Sequence, residues 1–198
     1  MAFLNPVTLT GDLVELVPLS HDHHDALVAV ASDGELWNLW YTSVPRPEEM
    51  RAEIDRRLAE AAAGTMLPFT TIRRSDGAVI GMTSFANADV PNRRLEIGYT
   101  WNAASAHRSG TNTESKLLLM QHAFEALDCI AVTYQTHWLN MQSRRAIERL
   151  GAKQDGVLRN HRIMADGSLR DTVVFSIIAS EWPAVRNELQ RRLAAHAR

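Results

Sequence analysis

Ala106-His107-Arg108-Ser109-Gly110-Thr111-Asn112-Thr113-Glu114-Ser115-Lys116 is the stretch that decides the fold. Before it lies a run with strand character, Arg94-Leu95-Glu96-Ile97-Gly98-Tyr99-Thr100-Trp101. After it comes a helical run, Glu114 to Leu127, in which Leu117, Leu118, Leu119, Met120, Ala123, Phe124 and Leu127 leave little polar face, so the helix is expected to pack heavily on a sheet. That helix is expected to open at about Asn112, and Thr111 and Glu114 stand three apart, the spacing of a capping box. Gly110, just before the helix, lets the backbone approach a bulky anion closely. The helix start adds free N–H groups and about half a positive charge, and Arg108 adds a guanidinium that matches phosphate oxygens. The unit therefore reads as a pyrophosphate cradle. No Gly-Lys-Ser/Thr follows, which excludes the P-loop of nucleotide hydrolases, and one glycine in place of three excludes a dinucleotide fingerprint.

Working outward, Leu13 to Leu19 reads as a strand, and Ser20 as the N-cap of a helix over 21–32. A second helix is expected over 48–63, with Met50, Ile54, Leu58 and Ala61 on its apolar stripe, Glu53 and Arg57 paired on the outside, and Gly64 ending it. Phe69–Arg73, Ala78–Phe85 and Arg94–Trp101 form three successive strands, an antiparallel meander joined by the turn Ser75-Asp76-Gly77 and a polar loop. Beyond the apolar helix, Ala131–His137 is a strand, and Asn140 opens a helix stopped near Leu150-Gly151. Strands over 153–164 and Arg170–Ile178 follow, with a tail helix from about Glu181. The order β-α-α-β-β-β-α-β-α-β-β implies an α/β (α+β) fold with helices on both faces of a mixed sheet, in one domain spanning 1–198.

Lys and Arg number 21 against 23 Asp and Glu, a balance that gives no electrostatic footprint for nucleic acid. The single cysteine, Cys129, has no internal partner and reads as a small buried hydrophobe. No apolar stretch reaches membrane-spanning length and the N-terminus lacks a signal-peptide pattern, so a soluble, cytoplasmic protein without membrane partners is expected.

The strand–Arg-Ser-Gly-Thr-Asn–helix unit, the following strand, and Asn140 opening a helix that ends Leu150-Gly151-Ala152 resemble the GNAT N-acetyltransferases, and most closely their RimJ/RimL-like branch. The resemblance covers roughly residues 10–180 and implies a mixed, mostly antiparallel central sheet. It implies acetyl-CoA as co-substrate, no metal, and transfer of the acetyl group to a primary amine by direct attack on the thioester. The family's phosphate loop runs Gln/Arg-x-x-Gly-x-Gly/Ala; aligned on Gly110, this chain places His107 first and Asn112 last, with Ser109 and Thr111 between them and Arg108 supplying charge. The resemblance further implies that the central strand splays near Tyr99, Thr100 and Trp101, whose main chain would pair with the pantetheine arm, and that Asn140 would reach the same arm.

Thioester aminolysis needs a neutral amine, a donor for the developing oxyanion and a proton for the departing thiolate. At pH 7 a lysine-like amine costs about 4.6 kcal/mol to deprotonate and an α-amine only about 1. By resemblance Glu96 is the base candidate, acting through a water. The family's usual tyrosine acid falls on Ile147 here, while Ser143 matches a serine given that role in the RimL-like branch; Tyr134 is the alternative. Trp37, Trp40 and Tyr41, between the first two helices, would line the acceptor entrance. The acceptor would be a protein N-terminus or a small-molecule amine, and Arg159, His161 and Arg162 suit an acidic one. His21-Asp22-His23-His24-Asp25 offers only His21 and Asp25 at helical ligand spacing and reads as a solvated first turn. The apolar tail helix could serve a homodimer interface. A module that senses acyl-CoA without turnover is the competing reading, and a structural domain that binds no coenzyme is a third.

Overall fold

The computed structural model describes residues 3–42 and 44–196, and its elements follow the expected order. A short β1 (Leu9–Thr10) and β2 (Val14–Pro18) precede α1 (His24–Ser32) and α2 (Met50–Ala62), each helix entered through a 3-10 turn. The meander is β3 (Met66–Arg73), β4 (Val79–Asp89) and β5 (Arg94–Asn102). Then come α3 (Thr111–Gln121), β6 (Ala131–His137), α4 (Met141–Arg149), β7 (Lys153–Ile163), β8 (Leu169–Ile178) and α5 (Trp182–His196). Ser20 accepts a hydrogen bond from the Asp22 amide, as an N-cap should. Gly151, at φ +95°, stops α4.

The strands form one eight-stranded sheet in the order β1-β2-β3-β4-β5-β6-β8-β7. Every neighbouring pair is antiparallel except β5–β6, which α3 joins as a parallel crossover. On one face Phe69, Phe85, Leu95 and Ile97 pack with Leu119, Met120 and Phe124 behind α3, and with Ile147 and Leu189 of α4 and α5. On the other, Val14, Ile80, Met82 and Trp101 pack with Leu27, Val30, Met50 and Ile54 of α1 and α2.

Two irregularities position the site. First, β5 and β6 pair only from Arg94, Leu95 and Glu96 to Ala131, Val132 and Thr133. Past Glu96, β5 stays with β4 as far as Asn102, while β6 stays with β8 as far as His137, so the sheet opens between them. Second, β5 carries a bulge. Ser84 pairs with Gly98 and Met82 with Trp101, so β5 advances three residues while β4 advances two. Tyr99 takes up the extra step at φ +53°. Strict alternation would put Tyr99 and Trp101 on the face of Leu95 and Ile97. The bulge reverses that: Tyr99 stacks under Arg56 and Arg57 of α2, Trp101 joins the α1–α2 core, and Thr100 turns towards α3.

Three local expectations are corrected. The pair Glu53–Arg57 does not lie on the outside of α2. Arg57 is 1% exposed, its Nε donating to Glu53 Oε1 at 2.7 Å, its Nη1 to Ser84 Oγ at 3.2 Å and its Nη2 to the Tyr99 carbonyl at 3.1 Å. The capping box does not form, because Thr111 is already the first helical residue and Gly110, at φ +82°, is the cap. Glu114 instead turns outward from α3 and accepts the main-chain N–H groups of Asp12, Leu13 and Val14 at 2.9, 2.7 and 2.7 Å, fastening the N-terminal hairpin to the helix start. Lastly, the helix expected over Glu114–Leu127 is not uniform: its last stretch, His122–Ala126, is a π turn.

Candidate active site

A cleft of about 1020 Å³ occupies the opening between β5 and β6, and its wall runs from the loop before α3 to the start of α4. Each part of it has a different chemical character.

At one end is the loop. Ala104–Ala106 makes a 3-10 turn, Arg108 sits at φ +61°, and Gly110 carries the chain into α3. A Cβ on Gly110 would lie 3.1 Å from Leu13 Cδ1, which a small shift of that side chain relieves, but the φ of +82° is one that side chains disfavour, so the backbone conformation is what calls for glycine here. Ser109 Oγ donates to the Ala106 carbonyl at 2.6 Å, and the Thr111 hydroxyl lies 2.8 Å from it. His107, Arg108, Ser109, Gly110 and Asn112 all line the cleft, with the three residues before Gly110 exposed. Thr111 is buried as a brace. A smaller cavity of about 420 Å³ next to Asn112 is lined by Arg149, Arg191, Arg192 and His196; Arg191 and Arg192 are paired with Glu188, so Arg149 is the cation that it adds to the same end.

Along the middle run Tyr99, Thr100 and Trp101 on β5, with β6 contributing Tyr134 to His137. The Tyr99 carbonyl is held by Arg57, which fixes the bulge. Trp101 Nε1 and Tyr134 Oη are buried with no hydrogen-bond partner among the described residues. Burial pushes the Tyr134 hydroxyl well above the ordinary phenol range. Asn140 caps α4, its Oδ1 accepting the Ser143 amide at 2.9 Å, which leaves its Nδ2 without a partner at the cleft. Ser143 is half-buried on the same wall, and Ile147 is buried one turn further on.

Glu96 does not itself line the cleft; it sits directly behind Gly98, which does. It is 6% exposed, accepts the Asn87 amide at 2.8 Å, and has its carboxyl raised above the ordinary range by burial, against the opposing pull of Asn87, Arg162 and Arg170. A water could therefore connect it to the cleft floor, but direct contact with a substrate there is not built in.

At the mouth, Trp40, Tyr41 and His137 form a ring cluster, with centroids 5.6 Å apart for Trp40–Tyr41 and 5.1 Å for Trp40–His137. Trp37 is not part of it and packs against the α1–α2 core. His21 pairs with Asp55 of α2 at 2.6 Å and not with Asp25, and no group of three or more potential metal-binding side chains occurs among the described residues. Cys129 is buried. No helix among the described residues is long and apolar enough to cross a membrane.

The family described as "Acetyltransferase (GNAT) domain" matches residues 14–153. The chain belongs to that family. A Bacillus subtilis relative named "Putative ribosomal N-acetyltransferase YdaF" is 35% identical over 107 residues, which is 54% of this chain. The match spans 57% of that relative's length. Among solved structures, a GCN5-related N-acetyltransferase from Brucella melitensis is 31% identical, with a TM-score of 0.87 over 96% of this chain and 86% of the other. Mycobacterium smegmatis RimJ in complex with CoA-disulfide has the same fold at 24% identity, with a TM-score of 0.78 over 96% and 95% of the two chains.

Three cleft residues went unnoticed in the sequence. Arg57 hid behind its role as a surface-pair candidate. His137 closes the aromatic cluster from a strand end where nothing in the local pattern marks it. Lys116 is buried, its Nζ donating to Thr83 Oγ1 at 2.9 Å and Thr100 Oγ1 at 2.6 Å. A signal for it did exist: with Leu119, Met120 and Ala123 it follows the three- and four-residue spacing of the helix's inner face.

Proposed function

We propose that this GNAT chain is an acetyl-CoA-dependent N-acetyltransferase that acts on a primary amine. The observation that carries the reading is the parting of β5 from β6 directly beside a glycine-capped helix start. An extended arm can lie where β6 leaves the β5 ladder open, while its diphosphate meets the amides of residues 109–113. Arg108 and Arg149 add positive charge there, while Arg191 and Arg192 in the same recess are paired with Glu188. Tyr99, Thr100 and Trp101 offer main-chain groups to the pantetheine, and Asn140 Nδ2 faces them from α4.

In the reaction the amine nitrogen attacks the thioester carbonyl, the C–N bond forms and the C–S bond breaks. The amine proton passes through water to Glu96, whose burial raises its carboxyl above the ordinary range and makes it the better proton acceptor. Ser143 hydrogen-bonds the departing sulfur. Trp40, Tyr41 and His137 frame the amine's entry. The acceptor is a protein N-terminus or a small amine; the name of the Bacillus subtilis relative favours a protein. An α-amine also needs the weaker base, since it is largely neutral near pH 7–8.

A module that binds acyl-CoA without turnover is the second reading, favoured by the buried Ile147 at the place of the family's acid. Purified protein incubated with acetyl-CoA and a panel of peptide and small-molecule amines separates the two. Acceptor-dependent release of free thiol, with one acetyl group added to the amine, supports the enzyme. Coenzyme binding with no thiol release from any acceptor supports the sensor.

A further inference from the structure

Lys116 is a buried ammonium-bearing side chain whose hydrogen bonds go to two neutral hydroxyls, and the reaction above makes no use of it. Thr83 and Thr100 lie 2.8 Å apart, and Nζ bonds both, closing a triangle on the α3 face of the sheet. The bulge at Tyr99 is what turns Thr100 into that triangle, and Thr100 is exposed on the cleft floor. A hydroxyl at the reaction channel is thus wired to an amine sealed beneath it.

Resting on the acyl-transfer reading, we infer that Lys116 and Thr100 form a proton-donating pair for the coenzyme thiolate, with Lys116 acting through the threonine hydroxyl. As the C–S bond breaks, the Thr100 Oγ–H proton passes to sulfur, and an Nζ proton of Lys116 replaces it on Oγ. The lysine is left neutral and is recharged from solvent after product leaves. Lys116 is thereby a positioning residue and proton source, and Thr100 is the group that touches the sulfur. Ser143 can solvate the same sulfur, but its Oγ has no partner to resupply a proton, which a weakly acidic hydroxyl needs.

Burial pushes the Lys116 ammonium down to about 7, and burial is its only influence. An acid in that range delivers a proton readily to a thiolate, whose ordinary pKa is about 8.5. Among the described residues no carboxylate pairs with Nζ. Glu114 on the same helix is tied to the amides of Asp12, Leu13 and Val14, and Glu96 points to the opposite face of β5. Tyr99 and Arg57 also lie on that opposite face, Tyr134 stands on β6 with a neutral hydroxyl, and His122 stacks on Phe85. Counter-charge is therefore missing until an anion forms in the cleft.

The test combines kinetics with calorimetry. For K116M the rate constant of the acyl-transfer step is expected to fall about 10–100-fold, below the full range for general acids because a thiolate leaves easily. The acetyl-CoA KM should stay within about threefold, and the loss of rate at high pH expected of the parent should vanish. T100V should show the same fall while T100S restores the rate; this arm decides the matter if K116M does not fold. CoA titrated into the parent in buffers of different ionisation enthalpy should show proton uptake that K116M lacks. Unchanged rate and pH profile in K116M, or full activity in T100V, overturns the pair. A parent that binds no CoA, or never releases thiol, overturns the acyl-transfer reading itself, which the same titration and assay reveal separately.

Discussion

The two ends of the cleft are built by different means. The loop end is made of main chain: Gly110 at φ +82°, the first amides of α3, and exposed side chains that supply charge without a fixed partner. The floor is backed by buried ionisable side chains, each held by a partner on another element of the fold. Arg57 comes from α2, Glu96 from β5 and Lys116 from α3. Main-chain sites tolerate side-chain variation and depend on backbone geometry. Side-chain sites depend on burial, which sets the pKa values that chemistry uses. Binding should therefore fail when the loop is altered, and turnover when the floor is altered.

The largest effect should be at the floor. E96Q keeps the shape and the Asn87 contact region but removes the proton acceptor, and kcat is expected to fall about 10²–10⁴-fold with CoA affinity unchanged. Steady-state kinetics beside a CoA titration would show it, and loss of affinity together with rate would blur the division. At the other end, G110E places a side chain against Leu13 in a left-handed backbone and sets a negative charge at the helix start. CoA affinity should drop about 100-fold or more, with the melting temperature only slightly lower.

Smaller effects concern stability. R57M strips Ser84 Oγ and the Tyr99 carbonyl of their partner in a closed space and leaves Glu53 to Arg56 alone. A loss of about 2–4 kcal/mol by chemical denaturation is expected. Smaller still is a pH effect at Lys116. Its folded pKa lies near 7, while the unfolded chain titrates near 10.4, so between those values the folded state binds fewer protons and stability rises with pH. The destabilisation from the buried charge is complete below pH 7. K116M should thus melt higher than the parent at pH 6, by about 2–4 °C for each kcal/mol, with the gap closing towards pH 9. A gap independent of pH would mean that burial leaves the lysine pKa where it is in the unfolded chain.

Much of the fold could be read along the chain because it rests on local signals. Apolar spacing gave the helices, Ser20, Gly64 and Gly151 marked their ends, and Gly110 with Arg108 marked the loop. The bulge escaped because it is one extra residue in β5 relative to β4, a property of register between strands and not of either alone. Everything that follows from the bulge escaped with it: the inward turn of Thr100, the stacking of Tyr99 under α2, and the burial of Arg57. Glu114 was misread for a related reason. Its spacing from Thr111 suits a capping box, but the competing donors at Asp12, Leu13 and Val14 are about 100 residues away in sequence. Trp37, Trp40 and Tyr41 looked alike as a group, and only packing separates Trp37, which lies against the α1–α2 core, from the two at the cleft mouth.

Amide hydrogen exchange with and without CoA tests the central claim most directly. Bound coenzyme should slow exchange in two separated segments, residues 109–113 at the start of α3 and residues 98–102 on the open edge of β5. Saturating CoA that leaves both segments unprotected, or that protects a surface elsewhere, would contradict it.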